Sequence, residues 1–210
     1  MRLIEVHAVN RCRQEQRGFS AIELLIVIAI ALIISAGAMI QFMPVLRSAR
    51  AENALQTTLG QVRNARGLAI DQRAKYRISF LAPRTIQLDQ IKTDPLGVQT
   101  ITFVSSIALP TDTQFIAIAG IPTGGATPDA LPTFGNAIDF SVDNGGGGTT
   151  LYFQPDGRIL DAANRLNNGV VYVARPGELL SSRAVSVLGA TGRVKGWHLI
   201  KNGANMVWTQ

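Results

Sequence analysis

Arg17-Gly18-Phe19-Ser20-Ala21-Ile22-Glu23-Leu24-Leu25 opens the stretch that decides how this 210-residue chain is organised. From Leu24 to Ile40 run 17 residues without a charge, only Ser35 among them markedly polar, and the run reaches 20 at Met43. About 20 apolar residues in a helix span a bilayer core of roughly 30 Å, which predicts a membrane helix over 19–43. The order of features matters. A secretory signal carries its small-residue cut site downstream of its apolar stretch, whereas here a basic segment ends at Arg17-Gly18 and the apolar run follows at once. A cut after Gly18 leaves the whole helix on the mature chain, with Phe19 as its N-terminus. Arg2, Arg11, Arg13 and Arg17 favour a cytoplasmic location for residues 1–18, so everything beyond about Pro44 is expected to face outward.

Glu23 is the one ionisable residue of this stretch and the fifth of the mature chain. A carboxylate driven to a bilayer centre costs a few kcal/mol and calls for a partner. Two readings stand at this point. Glu23 reaches back to the interface and does nothing specific, or in an assembled filament it pairs with the Phe19 ammonium of a neighbouring subunit and sets axial register.

The stretch resembles the type IV prepilin signal, G-F-[ST]-x-[IL]-E-[LM]-[LM], followed by its apolar helix. The resemblance implies a prepilin peptidase that cuts between Gly18 and Phe19 and N-methylates Phe19. It also implies the assembly role for Glu23. The remaining partners it implies are other pilins or pseudopilins, met through the N-terminal helix, and inner-membrane lipid.

Composition fits this organisation. The chain is 47% hydrophobic and 16% charged, against roughly a quarter charged in an average soluble domain, and much of the apolar excess lies in the N-terminal run. Loss of residues 1–18 removes four arginines and two glutamates, lowering the formal charge of +6 by two. A mildly basic remainder permits affinity for nucleic acid or anionic lipid without demanding it. Cys12, the single cysteine, leaves with the leader, so the mature domain relies on packing and hydrogen bonds with no disulfide.

Beyond Pro44 the apolar pattern turns periodic. Leu46, Ala49, Leu55, Leu59, Val62, Ala65 and Ala69 recur with charged and amide residues between them, which predicts an amphipathic continuation over 44–72 with one covered stripe. Pro44 is expected to bend or locally open the helix. Over 73–210 the texture becomes that of strands: Tyr76–Leu81, Thr85–Asp89, Val98–Val104, Ile138–Val142, Thr150–Phe153, Val170–Ala174, Ala184–Leu188 and Arg193–Leu199. Ile101-Thr102-Phe103 alternates as a half-buried antiparallel strand does. The Gly- and Pro-rich stretch from Pro110 to Gly148 reads as an exposed loop with one or two brief strands. Gly145–Gly148 lacks the Lys-Ser/Thr that a phosphate loop needs. The expected fold class is α+β and pilin-like, a long N-terminal helix packed on an antiparallel β-sheet or small β-sandwich.

Near the C-terminus, Leu151-Tyr152-Phe153-Gln154-Pro155-Asp156-Gly157-Arg158, Val170–Arg175, Arg183–Leu188 and Gly192-Arg193-Val194-Lys195 resemble the end of the GspH/FimT family. Its members are minor pseudopilins of type II secretion and minor pilins of type IV pili. Enzymatic chemistry has little support. His7 and His198 form no cluster, no metal-ligand spacing survives, and Asp139, Asp143, Asp156 and Asp161 read as turn and strand-end residues. No cofactor is expected. Arg183, Arg193, Lys195, Trp197 and Lys201, with His198 among them and Trp208 beyond, form a basic segment interleaved with aromatics. Such a segment suits either DNA or a solvated edge strand. Gly192-Arg193-Val194-Lys195 is similar to the G-R-x-R motif of pilins linked to DNA uptake, with Lys in place of the second Arg and its planar fork. The leading expectation is a structural subunit of a type II secretion pseudopilus. It would be single-pass in the inner membrane, with a cytoplasmic N-terminus and a periplasmic domain, and be drawn from there into the filament. The alternative is a type IV minor pilin that binds DNA.

Overall fold

The computed structural model describes residues 19–210; residues 1–18, where a cleaved leader ending at Gly18 and containing Cys12 is expected, lie outside the described residues. The chain divides into two units at Met43/Pro44. Helix α1, Ala21–Asp71, is helical on both sides of Pro44 and through it. Pro44 has no N–H, so the helical ladder forgoes one bond there.

In the first unit, side chains from Phe19 to Ala38 are all exposed. The window Ala21–Ala38 is long and apolar enough to cross a membrane, about 27 Å at the helical rise per residue. Nothing in that window is buried.

In the second unit, α1 buries Ala51, Ala54, Leu55, Thr58, Leu59, Val62, Ala65 and Ala69, a set spaced by one, three and four positions. Leu46 and Ala49, expected in this stripe, are exposed, so the covered face begins only at Ala51. Small residues let the sheet come close. A Cβ on Gly196 would sit 2.8 Å from Leu59 Cδ1, a separation that side chains do not tolerate.

The strands, all antiparallel, form two sheets rather than one. The first contains β1 (Lys75–Leu81), β2 (Thr85–Thr93), β3 (Gln99–Ala108), β6 (Thr150–Phe153) and β7 (Ile159–Leu160), in the order β3-β2-β1-β6-β7. The second runs β11 (Asn205–Thr209), β10 (Arg193–Asn202), β9 (Arg183–Leu188), β8 (Gly169–Ala174) and β4 (Gln114–Phe115), with β5 (Ile138–Phe140) also paired to β8. Alternation places Ile78, Phe80, Ile86 and Leu88 of the first sheet and Val171, Val173, Val185 and Val187 of the second in one core with the α1 stripe. Phe80 joins the layers, with its ring 5.6 Å from Phe115 and 5.3 Å from Phe140, centroid to centroid. At the end of β6 the turn Gln154–Gly157 closes as its residues require: Gly157 takes φ +83, and Asp156 accepts the Arg158 N–H at 3.0 Å.

Three expectations need correction. The stretch 110–148 is no exposed loop. Its two brief strands, β4 and β5, are as expected, but the chain around them is partly covered: Ala117, Ile121 and Leu131 pack over Val170, Tyr172, Ala184, Leu199 and Trp208 on the outer face of the second sheet. That cover is why β8 is buried on both faces. Asp139 is no strand-end residue. It lies within β5, fully buried, and its side-chain oxygens accept N–H groups of Phe134 and Gly147, so the glycine run folds around an internal acceptor. β3 alternates in sequence but is not half-buried. Ile101, Phe103 and Val104 are exposed, because β3 is a sheet edge and the core lies under β1 and β2.

Candidate functional site

The first candidate site is the head of α1. Phe19 is 77% exposed, and Leu24 N–H donates to Ser20 O at 3.1 Å, so the helical ladder starts directly behind it. Glu23 stands in the first turn, where the unsatisfied N–H groups favour a negative charge. It is also exposed. Ser35, the polar residue further along, returns its hydroxyl to Ala31 O at 2.7 Å and so presents little polarity to the surroundings.

The second is the basic C-terminal segment, which the fold does not assemble as one patch. Successive side chains of a strand point to opposite faces. On β9, Arg183 faces α1: it is 8% exposed, donates from Nη1 to Leu180 O and Ser182 O, and lies 3.5 Å from Glu52 Oε2 through Nε. On β10, Arg193, Lys195 and Trp197 alternate onto the outer face. Arg193 Nη2 and Lys195 Nζ meet the same Asp129 Oδ1, at 3.0 and 3.3 Å. Asp129 Oδ2 accepts the Ser186 hydroxyl at 2.5 Å, and Ser186 Oγ in turn accepts Trp197 Nε1–H at 2.9 Å. Lys195 Nζ stands 5.4 Å from the Trp197 ring centroid. Trp208 is buried against Tyr172, and Lys201 is exposed near the end of β10. Asp129 is the residue that sequence reasoning misses. Its signal would be a short polar side chain able to take φ +53, seated 64 positions from Arg193.

His198 points to the helix side, where its Nε2 lies 2.8 Å from Glu52 Oε2. Partial burial works to raise the Glu52 pKa. Hydrogen bonds with Gln56 and His198 and the charges of His198 and Arg183 outweigh it, holding the carboxyl below its ordinary value. Among the described residues, no group of three or more His, Cys, Asp or Glu is arranged to hold a metal ion.

Residues 13–39 match the model of the prokaryotic N-terminal methylation motif. No curated protein matches the chain. The crystal structure of the type IV minor pilin FimU of Pseudomonas aeruginosa is similar at 12% identity and a TM-score of 0.42, covering 79% of this chain and 95% of that one. The motif implies processing by a prepilin peptidase and assembly with other pilins. The methylation motif thus heads an exposed apolar helix, and the same helix runs on into an antiparallel α+β domain.

Proposed function

We propose that the chain is a structural subunit of a type II secretion pseudopilus, held in the inner membrane before assembly. Residues 1–18 form a leader cut between Gly18 and Phe19, and Phe19 is then N-methylated. Residues 19–43 form the membrane and assembly helix, 44–72 its amphipathic continuation, and 73–210 the periplasmic domain. The observation that carries this reading is the apolar window Ala21–Ala38 with none of its surface buried, headed by Glu23. Such a surface calls for lipid or other apolar helices around it, and a carboxylate at its edge calls for a cation. The new Phe19 ammonium of a neighbouring subunit is that cation. Helices then bundle in the filament core while the β-sheets cover the outside.

A secretion role is favoured over DNA uptake by the basic segment itself. Arg183 is spent on Glu52 and two backbone carbonyls, and Arg193 shares Asp129 with Lys195, so the segment offers less uncompensated charge than its sequence suggests. Glu23→Leu tests the assembly role. The variant should be cut normally and yet fail to enter filaments, as read by the sheared-filament fraction of cells; normal incorporation would refute the pairing.

A further inference from the structure

Among the described residues, β3 is the longest strand at the end of a sheet. It pairs with β2 along one side, and no strand lies along the other. That free side carries a row of N–H and C=O groups without strand partners. Proteins blunt such an edge with charge, with proline or by keeping it short. β3 does none of these: it runs for ten residues, Gln99–Ala108, with no charge and no proline, inside an uncharged stretch from Pro95 to Thr111. The other sheet ends are shorter, two residues each in β4 and β7 and five in β11. Side chains leave both faces of β3, and all but Ser105 are exposed, among them Ile101, Phe103, Val104 and Ile107. Phe103 lies opposite Asp89 and Ser105 opposite Leu88, so Val104 is the extra residue of a bulge that bends the strand midway without covering it. The hairpin tip before β3 is held firmly. Asp94 Oδ1 accepts the N–H groups of Leu96 and Val98 at 3.0 and 2.7 Å, which leaves Leu96 projecting at 88% exposure.

An open backbone ladder is completed by one kind of surface, another extended strand. The charge pattern indicates whose. A two-fold contact sets a strand against its own copy, so a charged residue near the axis meets a like charge, and like charges directly opposite are destabilising. β3 has no charge to set against itself. Antiparallel pairing about its middle brings Phe103 and Val104 to the axis and turns Ile101 of one copy toward Ile107 of the other, giving the aromatic and β-branched neighbours that stabilise paired strands. We propose that β3 pairs with β3 of a second copy of this chain, joining two five-stranded sheets into one continuous antiparallel sheet. Such a contact closes after two copies. It is therefore separate from the helix packing proposed for a filament and does not depend on it.

The test uses the full chain in neutral-detergent micelles. Protein mass is followed by sedimentation from about 1 to about 100 μM, and backbone amide exchange is read at both ends of that range. Wild type should pass from one copy to two, with amide exchange slowed in β3 at the higher concentration. Phe103→Lys sets two ammonium groups near the axis and should weaken association about tenfold or more. Because Phe103 is exposed, the core is untouched, and an unchanged thermal midpoint checks this. Thr102→Lys, exposed on the opposite face of the same strand, should act alike. Association carried by the apolar helix would survive both substitutions. A chain that stays single over the whole range, association equal in wild type and both variants, or slowed exchange only outside β3 overturns the proposal.

Discussion

Arg193 donates from Nη2 to Asp129 Oδ1 across 3.0 Å, tying the first residue of β10 to a turn in the segment that covers the outer face of its sheet. Lys195, one pleat further on, leans on the same oxygen at 3.3 Å. One carboxylate thus holds two cations of the motif that reads in sequence as freely basic. Asp129→Asn keeps a side chain that tolerates positive φ and removes the charge. The variant should elute from an immobilised polyanion at higher salt than wild type, with a loss of stability of about 1 kcal/mol. Unchanged elution would mean that Asp129 does not mask the motif.

Gly192 should be the least replaceable residue of that region. Gly192→Ala adds a Cβ into the Gly157 carbonyl and the Arg66 guanidinium, at a φ where L-residues are strained. Destabilisation of about 3 kcal/mol is expected, read as a thermal midpoint lower by about 10 °C. Gly67→Ala, in a helix with nothing within 4 Å of the new Cβ, is the control and should be neutral to slightly stabilising.

The Glu52 carboxyl joins α1 to Arg183 and His198 and is held below its ordinary pKa. A carboxyl lowered in the folded state contributes stability that is complete above its unfolded value and is lost as pH falls through the folded one. Glu52→Gln removes that contribution at neutral pH. The gap in thermal midpoint between wild type and variant should therefore be open at about pH 6 and narrow by about pH 3. A gap independent of pH would show that the side chain acts through packing alone.

Much of this fold was legible because its signals are local. Seventeen uncharged residues, then apolar residues three and four apart, mark one long helix, and each of the eight expected strands lies on an observed one. What escaped is long-range or very short. β4 and β7 have two residues each, too few to show a period. β11 had a signal: Gly203-Ala204 is a two-residue hairpin turn, with Gly203 at φ +63, and it returns the chain so that Trp208 packs on Tyr172. Charge is where sequence misleads most. Counting arginines cannot tell that the pleat turns Arg183 inward to Glu52 and Arg193 outward, or that a carboxylate 64 residues away answers the latter. Glycine and proline misled in the same way over 110–148. They mark irregular backbone, and irregular backbone can still cover a sheet.

The proposed function requires Phe19 to head the mature chain and the apolar helix to stay with it. Intact mass and N-terminal sequencing of the protein from membranes of cells with and without a prepilin peptidase test it most directly. The expected chain begins at N-methylated Phe19 only when the peptidase is present, and is a full-length precursor otherwise. A chain left whole in both strains, or one cut downstream of its apolar run, would contradict it.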